Sequence, residues 1–518
     1  MAASAPFPFV YDLWVSKVEQ TSKLSSDAPS TIADWAFKPR FSVLLYADSE
    51  TSQELIDRSK ASVEGQIYPN WRLEGPGNPR PDVTDCDYVV PLRAGDVLAS
   101  SSLFRLAEAS QPQASAAIIY GDQDELHPSD RRRNPWFKPD WNAEMFLGLD
   151  FIWQAVAIRS DLASRAGIDR IGLTSERLAA ALLQATADAG GNIVHVPHII
   201  THVPRSREVS RLEPVRRHLR PSDATCSEGL FGTIKVSWPL PAILPTVSII
   251  VPTKDKLELL RPCVESVLGR TDYEPFELII VDNGSVHPET LAYLADVARN
   301  PAVRVLPYKA AYNFSAINNF AVKEANGSFL CLLNNDTEVV ESGWLTEMMR
   351  YAVQPHIGAV GAKLLYEDGT IQHAGVVIGV GGAAGHAHRF TPSDKPGYFR
   401  QPHVAQFVSA VTAACLVVSK EKFEAVDGLD EDKLAVAFND VDLCLKLQEA
   451  GWRNVYVPHA VLLHHESKSR GSDFAPERVE QFRRELKTLQ QRWGTKTYQD
   501  PLHNPNLDRN SENYVVRI

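Results

Sequence analysis

The sequence predicts an α/β protein with two domains, each built on a mostly parallel, doubly wound sheet. Residues 247–252 read VSIIVP, a continuous apolar run rich in β-branched side chains, as in buried parallel strands. Strand and helix patterns then alternate up to residue 333 at the spacing of βαβ units, which predicts a right-handed parallel arrangement. Fainter copies of these patterns recur in order in the first 202 residues, which indicates a duplicated fold.

The elements of the second half follow one another in a regular order. Helices are predicted over three segments: 257–268, 288–298 and 315–325. Strands follow or separate them over three others: 276–281, 303–306 and 329–333. Each apolar run is too short for a helix and is bounded by turn residues, so a strand is the better interpretation.

Polar residues follow three of these strands at their carboxyl ends. They are Thr253, Asp282 and the turn Asn334-Asn335-Asp336. In open α/β sheets, ligands bind in the crevice outside the carboxyl ends of the strands. We therefore expect these side chains to converge on one functional cleft.

A further helix is predicted over Asp440–Ala450, with the carboxylates Asp440 and Asp442 in its first turn. Free backbone N–H groups and the helix dipole keep a carboxylate ionised at this end of a helix. An ionised carboxylate facing a cleft is suited to act as a general base. The alternative is that both acids cap a solvated amphipathic helix.

A short strand, Val455–Val457, is expected to end at Pro458. The segment that follows is rich in groups that bind metal ions or phosphate, namely His459, His464, His465 and Glu466. The alternative is a polar surface loop.

Four segments occur in order in this half of the chain: VSIIVPTKD, LIIVDNGS, FLCLLNNDTEV and AFNDVDLCLKLQEAGW. They resemble the successive signatures of glycosyltransferase family 2, whose members have the nucleotide-sugar-binding GT-A fold. The resemblance extends over about residues 245–475. It implies two GT-A-like domains, the first degenerate and shortened, and inverting transfer of a sugar from a nucleoside diphosphate to an acceptor hydroxyl.

The resemblance also implies roles for single residues. It places Thr253 and Asp282 at the donor nucleotide, with Asp282 accepting a hydrogen bond from the base. Asp336 matches the last acid of the family's Asp-x-Asp metal motif, and Asp440 matches the catalytic base. His464 falls where the family often supplies a further metal-side histidine.

Five more residues are assigned to the donor nucleotide. Pro252 and Asp255 belong to the first motif, and Asn334 belongs to the third. Asn313 precedes a predicted helix, where it either caps the helix or faces the nucleotide together with Asn318.

The sequence departs from the family pattern at two positions. Asn334 replaces the first acid of the metal motif, and Asn439 replaces the acid that usually precedes the base. An amide oxygen can coordinate a hard cation but brings no charge. Mg²⁺ or Mn²⁺ remains the expected cofactor, because oxygen ligands and a phosphate-bearing substrate favour these ions.

Two residues of this half are assigned to the acceptor side with an alternative beside each. Asp442 lies two residues beyond Asp440 and points to another side of the helix, which favours a capping or salt-bridged acid. His373 belongs to the Gly-rich run 369–389, which is either a loop closing over a substrate or a plain hairpin.

The first half echoes the second but lacks part of it. YVVPLRAGDVL echoes FLCLLNNDTEV and places Asp96 where Asp336 lies, whereas about 35 residues are missing between the opening strand and this acid. The missing part is the segment that carries Asp282. Trp136 and Trp141, beside the acids of residues 120–142, either bind a sugar chain by stacking or belong to a structured surface loop.

Domain boundaries are predicted from composition: a degenerate domain 1–202, a basic and Pro-rich linker 203–244, a catalytic domain 245–475, and a C-terminal helix with an extended tail 476–518. The basic linker is either a solvated helix or a contact for an anionic membrane surface or a lipid-linked acceptor.

Composition restricts the classes of function. Six cysteines without paired spacing indicate a reducing, cytoplasmic setting, with the inner face of a membrane as a further expected location. The start has no basic region before a hydrophobic block, so no signal peptide is expected. No apolar run reaches about 18 residues, so no membrane-spanning helix is expected. A net charge of −11 argues against nucleic-acid binding.

The prediction is a metal-dependent glycosyltransferase, hexosyl or deoxyhexosyl, in surface polysaccharide synthesis of the O-antigen or exopolysaccharide type. Its expected partners are a UDP-, dTDP- or GDP-linked sugar and a glycan or lipid-linked acceptor. Two alternatives stay open: a nucleotidyltransferase that makes sugar nucleotides, which normally has a Gly-rich phosphate loop after the first strand, and a non-catalytic glycan-binding scaffold.

Overall fold

The computed structural model describes residues 8–19, 21–47, 51–75, 85–111, 116–127, 129–168, 173–204, 209–465 and 478–518. The chain forms two compact units. Unit 1 comprises residues 1–236, 501–508 and 515–518, and unit 2 comprises residues 237–500 and 509–514. The C-terminal tail thus contributes residues to both units. No described helix is long and apolar enough to cross a membrane.

Unit 1 contains eight helices among its described residues: α1 (Pro8–Lys17), α2 (Thr21–Asp34), α3 (Gln53–Glu64), α4 (Ser102–Ala109), α5 (Ala143–Gly148), α6 (Ser160–Ala166), α7 (Ser175–Asp188) and α8 (Leu212–Leu219). Its described strands are β1 (Phe41–Tyr46), β2 (Trp71–Glu74), β3 (Tyr88–Arg93), β4 (Val97–Leu98), β5 (Ile118–Leu126), β6 (Arg132–Trp136), β7 (Val156–Arg159), β8 (Ile193–Val203), β9 (Thr225–Glu228) and β10 (Ile234–Ser237).

Unit 2 contains these helices: α9 (Leu257–Arg270), α10 (Pro288–Val297), α11 (Phe314–Glu324), α12 (Trp344–Ala352), α13 (Lys420–Ala425), α14 (Asn439–Glu449) and α15 (Val479–Trp493). Its strands are β11 (Val247–Thr253), β12 (Phe276–Asp282), β13 (Val303–Pro307), β14 (Phe329–Leu333), β15 (Thr337–Val339), β16 (Ile357–Leu365), β17 (Ile371–His373), β18 (Val376–Ile378), β19 (Ala384–His386), β20 (Gln406–Val408), β21 (Cys415–Ser419) and β22 (Arg453–His464).

The large sheet of unit 2 has the strand order β13-β12-β11-β14-β21-β16-β22-β15. Strands β11 to β14 are parallel, β21 is antiparallel to its neighbours, and β16 and β22 again run parallel to each other. Helices α9, α10 and α12 bury their apolar side chains on one face in a core that includes Val264, Leu294 and Trp344. Helices α11 and α14 contact the strands without entering this core. The prediction of an α/β fold with a doubly wound sheet is confirmed.

The sheet of unit 1 repeats this plan in the order β2-β1-β3-β7-β5-β8-β4. Strands β2, β1 and β3 are parallel, β7 is antiparallel to its neighbours, and β5 and β8 are parallel. Strand β2 therefore occupies the place that β12 has in unit 2. The expectation that unit 1 lacks this strand is wrong: the strand is present but has only four residues, and among the described residues no strand lies beyond it.

The acid turns of the two units occupy equivalent places. Asp96 directly precedes β4, whose Val97 pairs with His202, and Asp336 directly precedes β15, whose Thr337 pairs with His464. The sequence echo that aligned the two acids thus corresponds to a repeated backbone arrangement.

Strand β22 is longer than the sequence predicts. The predicted stop at Pro458 is wrong, because the strand continues to His464. The pairing with β16 moves from Ala362↔Val457 to Lys363↔Val461, so three residues of β22 form a bulge. A bulge tolerates proline because its backbone N–H groups need no ladder partner.

Helix α15 is fixed to unit 2 by a fully buried carboxylate, Asp442 in the first turn of α14. Its Oδ1 accepts hydrogen bonds from Arg492 Nη1 at 2.7 Å and from Trp493 Nε1 at 2.8 Å. Lys446 Nζ lies 3.6 Å from the other oxygen. Of the two interpretations of Asp442, the structure thus gives it the contacts of a salt-bridged acid.

The carboxyl of Asp96 predicts a pH dependence of stability. Burial raises the pKa of Asp96 to about 7 against the lowering effect of Arg93. A raised pKa stabilises the folded state below pH about 4, and this contribution is lost as the pH rises towards 7. We expect Asp96→Asn to remove that loss and to be the more stable protein at pH 8, by on the order of 1 kcal/mol or more.

Urea unfolding of both proteins at pH 5, 6, 7 and 8 measures this difference. An equal pH dependence of the free energy of unfolding in the two proteins would contradict the expectation.

Asp442→Asn is expected to destabilise unit 2 by about 3–5 kcal/mol, because it leaves the Arg492 guanidinium without its buried anionic partner. Thermal unfolding followed by tryptophan fluorescence measures the loss. Asp430→Asn is the matched control, since Asp430 also binds Arg492, at 2.6 Å, but is more exposed. Equal losses in the two variants would show that burial of Asp442 does not matter.

Candidate active site

The carboxyl ends of β11, β12 and β14 meet at one edge of the sheet. Thr253 and Asp282 are the last residues of their strands and lie opposite each other in the parallel register. Asn335, just beyond β14, donates a hydrogen bond from Nδ2 to Thr253 Oγ1 at 3.1 Å. The three polar strand ends that the sequence singled out are therefore brought together.

Two carboxylates at this edge hold the loop that follows β12. Asp282 Oδ1 accepts from the backbone N–H of Ser285 at 2.8 Å. Asp255 Oδ1 accepts from the N–H groups of Val286 and His287 at 2.9 and 2.8 Å. Burial acts to raise the pKa of Asp255, but these N–H groups outweigh it, and the pKa lies below its usual value.

The other residues assigned to the donor side lie in or near the first strands. Pro252 is buried within β11. Asn313 caps α11, since its Oδ1 accepts from Ala316 N at 2.9 Å while its Nδ2 donates to Glu431 O. Asn318 is fully buried in the same helix, and its Oδ1 has no hydrogen-bond partner among the described residues. The capping role of Asn313 is thus observed.

Asp336, Asn334 and His464 form a second group next to these strand ends. His464 Nε2 lies 3.1 Å from Asp336 Oδ1 and 3.3 Å from Asn334 Nδ2. His464 Nδ1 faces Gln372 Oε1. An amide oxygen only accepts, so Nδ1 carries a proton, and Nε2 is the ring nitrogen that faces Asp336. Gln372, on β17, is a residue that the sequence reasoning missed.

This group fits a divalent cation that is shared with a phosphate-bearing ligand. A carboxylate, an amide and an imidazole suit Mg²⁺ or Mn²⁺, and a bound diphosphate would add further oxygens. A partner that fixes the outer nitrogen of a ligating histidine, as Gln372 does for His464, is usual in metal sites. The described residues contain no group of three or more His, Cys, Asp and Glu side chains placed to hold a metal alone.

Asp440 lies beside this group, in the first turn of α14. Its Oδ2 accepts from the backbone N–H of Ala413 at 3.0 Å, and its Oδ1 accepts from the N–H of Val441 at 2.8 Å. The next carbonyl along the chain, that of Ala414, accepts from the N–H of Asn334 at 3.1 Å. Two consecutive residues before β21 thus connect the proposed metal-binding turn to the proposed base.

His373 makes its hydrogen bonds with backbone groups only, among the described residues. The ring is fully buried, with Nδ1 2.8 Å from Ala362 O and Nε2 accepting from Thr412 N at 3.3 Å. Burial, followed by the nearby His386, lowers the pKa of His373 to about 3. The ring is therefore neutral, and both of its nitrogens hold the backbone in place.

The Gly-rich run forms a hairpin, which was one of the two interpretations. Strands β18 and β19 pair as a separate two-stranded sheet. Residues 509–514 lie against it: Gly381 N donates to Arg509 O at 2.8 Å, and His386 N donates to Glu512 Oε1 at 2.9 Å. A Cβ at Gly379 would clash with the Arg509 guanidinium, and Gly379 also has a φ of +94°. The glycines thus allow the tail to approach the hairpin, an association without a local sequence signal.

The residues assigned to a sugar chain in unit 1 lie in packed surroundings. Trp136 is buried, and Trp141 packs against Phe146 and Phe151 with ring centroids 5.2 and 5.9 Å apart. The neighbouring acids are buried as well: Asp122 accepts from His195, and Asp124 accepts from His202. Glu466 lies outside the described residues.

The chain is similar to several known proteins. Residues 248–421 match the model of Glycosyl transferase family 2. The uncharacterized protein y4gI of Sinorhizobium fredii is 39% identical over 466 residues, which cover 86% of this chain and 51% of the relative. The O-antigen biosynthesis protein RfbC of Myxococcus xanthus is 34% identical over 407 residues, which cover 76% of this chain and 32% of the relative.

A third relative is the N-acetylglucosaminyl-diphospho-decaprenol L-rhamnosyltransferase of Mycobacterium tuberculosis, 26% identical over 45% of this chain and 78% of the relative. Among solved structures, the mannosyltransferase PcManGT of Pyrobaculum calidifontis covers 52% of this chain and 69% of its own at 15% identity, with a TM-score of 0.36, which is too low to support an inference.

The chain spans about half the length of the first relative and about a third of the second. The matched segment nevertheless contains the polar strand ends and the Asn334–Asp336 turn described above. The names of two relatives concern O-antigen biosynthesis and rhamnosyl transfer. Residues 248–421 of this chain are thus similar to glycosyl transferase family 2.

Proposed function

We propose that unit 2 is an inverting glycosyltransferase that moves a hexosyl or deoxyhexosyl group from a nucleoside diphosphate to a hydroxyl of a glycan or lipid-linked acceptor. The observation that carries the proposal is the connection through Ala413 and Ala414, which holds Asp440 beside the Asn334–Asp336 turn. A base and a group suited to a cation are the minimal set for this reaction. The names of RfbC and of the rhamnosyltransferase support a pathway of surface polysaccharide synthesis.

The residues at the strand ends would bind the sugar donor. Thr253 and Asp282 lie where the nucleotide is expected, beyond the carboxyl ends of β11 and β12. Asp336, His464 and Asn334 would hold Mg²⁺ or Mn²⁺ against the diphosphate. When bound, the cation offsets the negative charge that develops on the departing diphosphate.

Asp440 would activate the acceptor hydroxyl. A hydroxyl is a weak nucleophile until a carboxylate removes its proton in the transition state. Asp440 lies at the N-terminus of α14, where the helix dipole favours the ionised form, and its Oδ2 is held by Ala413 N. Attack from the face opposite the leaving diphosphate would invert the configuration of the sugar.

A thermal-shift panel of UDP-, dTDP- and GDP-sugars with Mn²⁺ tests the proposal, because a specific ligand raises the melting temperature by mass action. One nucleotide class is expected to stabilise the chain in a Mn²⁺-dependent way and to be consumed with release of the nucleoside diphosphate. Release of pyrophosphate from a nucleoside triphosphate would instead indicate a nucleotidyltransferase.

Asp440→Asn is expected to keep donor binding but to slow transfer by about 10²–10⁴-fold, because the amide keeps the size of the side chain and loses its proton affinity. Transfer rate and donor affinity are the measurements. Asp96→Asn is the matched control, because Asp96 lies in the equivalent acid turn of unit 1. A folded but inactive Asp96→Asn protein, with normal turnover in Asp440→Asn, would place the chemistry in unit 1.

Asp336→Ala is expected to abolish transfer and the Mn²⁺-dependent part of donor binding. Gln372→Leu is expected to weaken Mn²⁺ binding by about 10- to 100-fold, because His464 loses the partner that fixes its ring. Electron paramagnetic resonance of Mn²⁺ with the stabilising nucleoside diphosphate measures both effects without turnover. Unchanged Mn²⁺ affinity in both variants would remove this group from the metal site.

A further inference from the structure

His386, the last residue of β19, presents an unpaired acceptor atom. Its Nδ1 lies 2.8 Å from the backbone oxygen of Gln372. A carbonyl oxygen only accepts, so Nδ1 carries the proton and Nε2 of the neutral ring has a free lone pair. The side chain is partly exposed, and the described residues offer Nε2 no hydrogen-bond partner.

The orientation of this ring is fixed by its surroundings. The backbone N–H of His386 donates to Glu512 Oε1 at 2.9 Å, and the ring meets the edge of His373 with centroids 5.3 Å apart. Burial lowers the pKa of His386, against the raising effects of the Gln372 carbonyl and of Glu512 and Asp440, while Arg389 lowers it further. The ring is thus neutral near pH 7 and held in one direction.

A short series of contacts leads from this ring to the proposed base. His373, which touches His386, accepts from the N–H of Thr412, and the N–H of the next residue, Ala413, donates to Asp440. Gln372 and His373 are on β17, which pairs with β16, away from the strands β11 and β12 that meet the donor. His386 therefore lies near Asp440, on strands that do not pair with β11 or β12.

We propose that His386 Nε2 accepts a hydrogen bond from a second hydroxyl of the acceptor sugar and so orients the hydroxyl that Asp440 deprotonates. The inference rests on the proposed function and adds an acceptor subsite to it. The ligand is the polyhydroxylated end of a glycan, because a neutral ring nitrogen without a proton recognises a hydrogen-bond donor. His386 acts here as a positioning residue for the acceptor.

Two variants isolate the Nε2 atom. His386→Asn keeps an N–H group near the place of Nδ1, which can still donate to the Gln372 oxygen, but has nothing at the place of Nε2. His386→Gln reaches the place of Nε2 with an amide oxygen. The probes are octyl monoglycosides of several sugars. Their dissociation constants are measured by calorimetric titration into the full chain loaded with Mn²⁺ and the stabilising nucleoside diphosphate. Their KM values are measured in transfer assays in which they serve as the acceptor.

For the glycoside that the wild type binds, we expect His386→Asn to raise both the dissociation constant and the acceptor KM by about 2- to 10-fold, which is the usual worth of one hydrogen bond. His386→Gln should recover most of this loss, and donor affinity should stay unchanged in both variants. Equal effects of the two variants, a parallel loss of donor affinity, or no binding of any glycoside by the wild type would overturn the subsite.

The same titrations separate this inference from the proposed base. Glycoside binding that depends on His386, together with normal transfer by Asp440→Asn, would refute the base and keep the subsite. Loss of transfer in Asp440→Asn, with equal glycoside binding in the two His386 variants, would refute the subsite and keep the base.

Discussion

The parallel register of β11 with β12 and β14 is the constraint on which the rest of unit 2 depends. It sets Thr253 opposite Asp282 and brings Asn335 within hydrogen-bonding distance of Thr253. A slip of one residue would turn every side chain of a strand to the other face of the sheet. The buried apolar runs exclude such a slip, because one face must pack on α9 and α12. The polar strand ends are therefore held by the hydrophobic core.

Buried polar side chains hold the residues around the cleft in fixed positions relative to the sheet. Gln372 uses its side chain for His464 and its backbone oxygen for His386, so one residue of β17 orients two histidines. Asp442, in the same helical turn as Asp440, connects α14 to α15 by accepting a hydrogen bond from Arg492. Such partners pre-organise a site, since a side chain with a satisfied hydrogen bond has little freedom to rotate.

The duplication shows that the same backbone serves different purposes. Asp96 and Asp336 occupy equivalent turns. The strand after each turn, β4 or β15, pairs with a histidine, His202 in unit 1 and His464 in unit 2. In unit 2 the histidine faces the acid of the turn, whereas His202 bonds to Asp124 in unit 1. The two histidines thus have different partners on a similar backbone, which is consistent with the general rule that function belongs to sites and not to folds.

The sequence by itself determined the strands and helices between residues 247 and 333 and the order of the polar strand ends, because apolar periodicity and turn residues act over a few neighbours. It also indicated Asp440 and the duplicated fold. It misplaced the end of β22, since a bulge around Pro458 depends on the pairing with β16, and it mistook the shortened β2 for a missing strand. Only the tertiary structure decided the hydrogen-bond partners of Gln372, His386 and Asp442, because these partners lie 14 to 126 residues away and leave no local pattern.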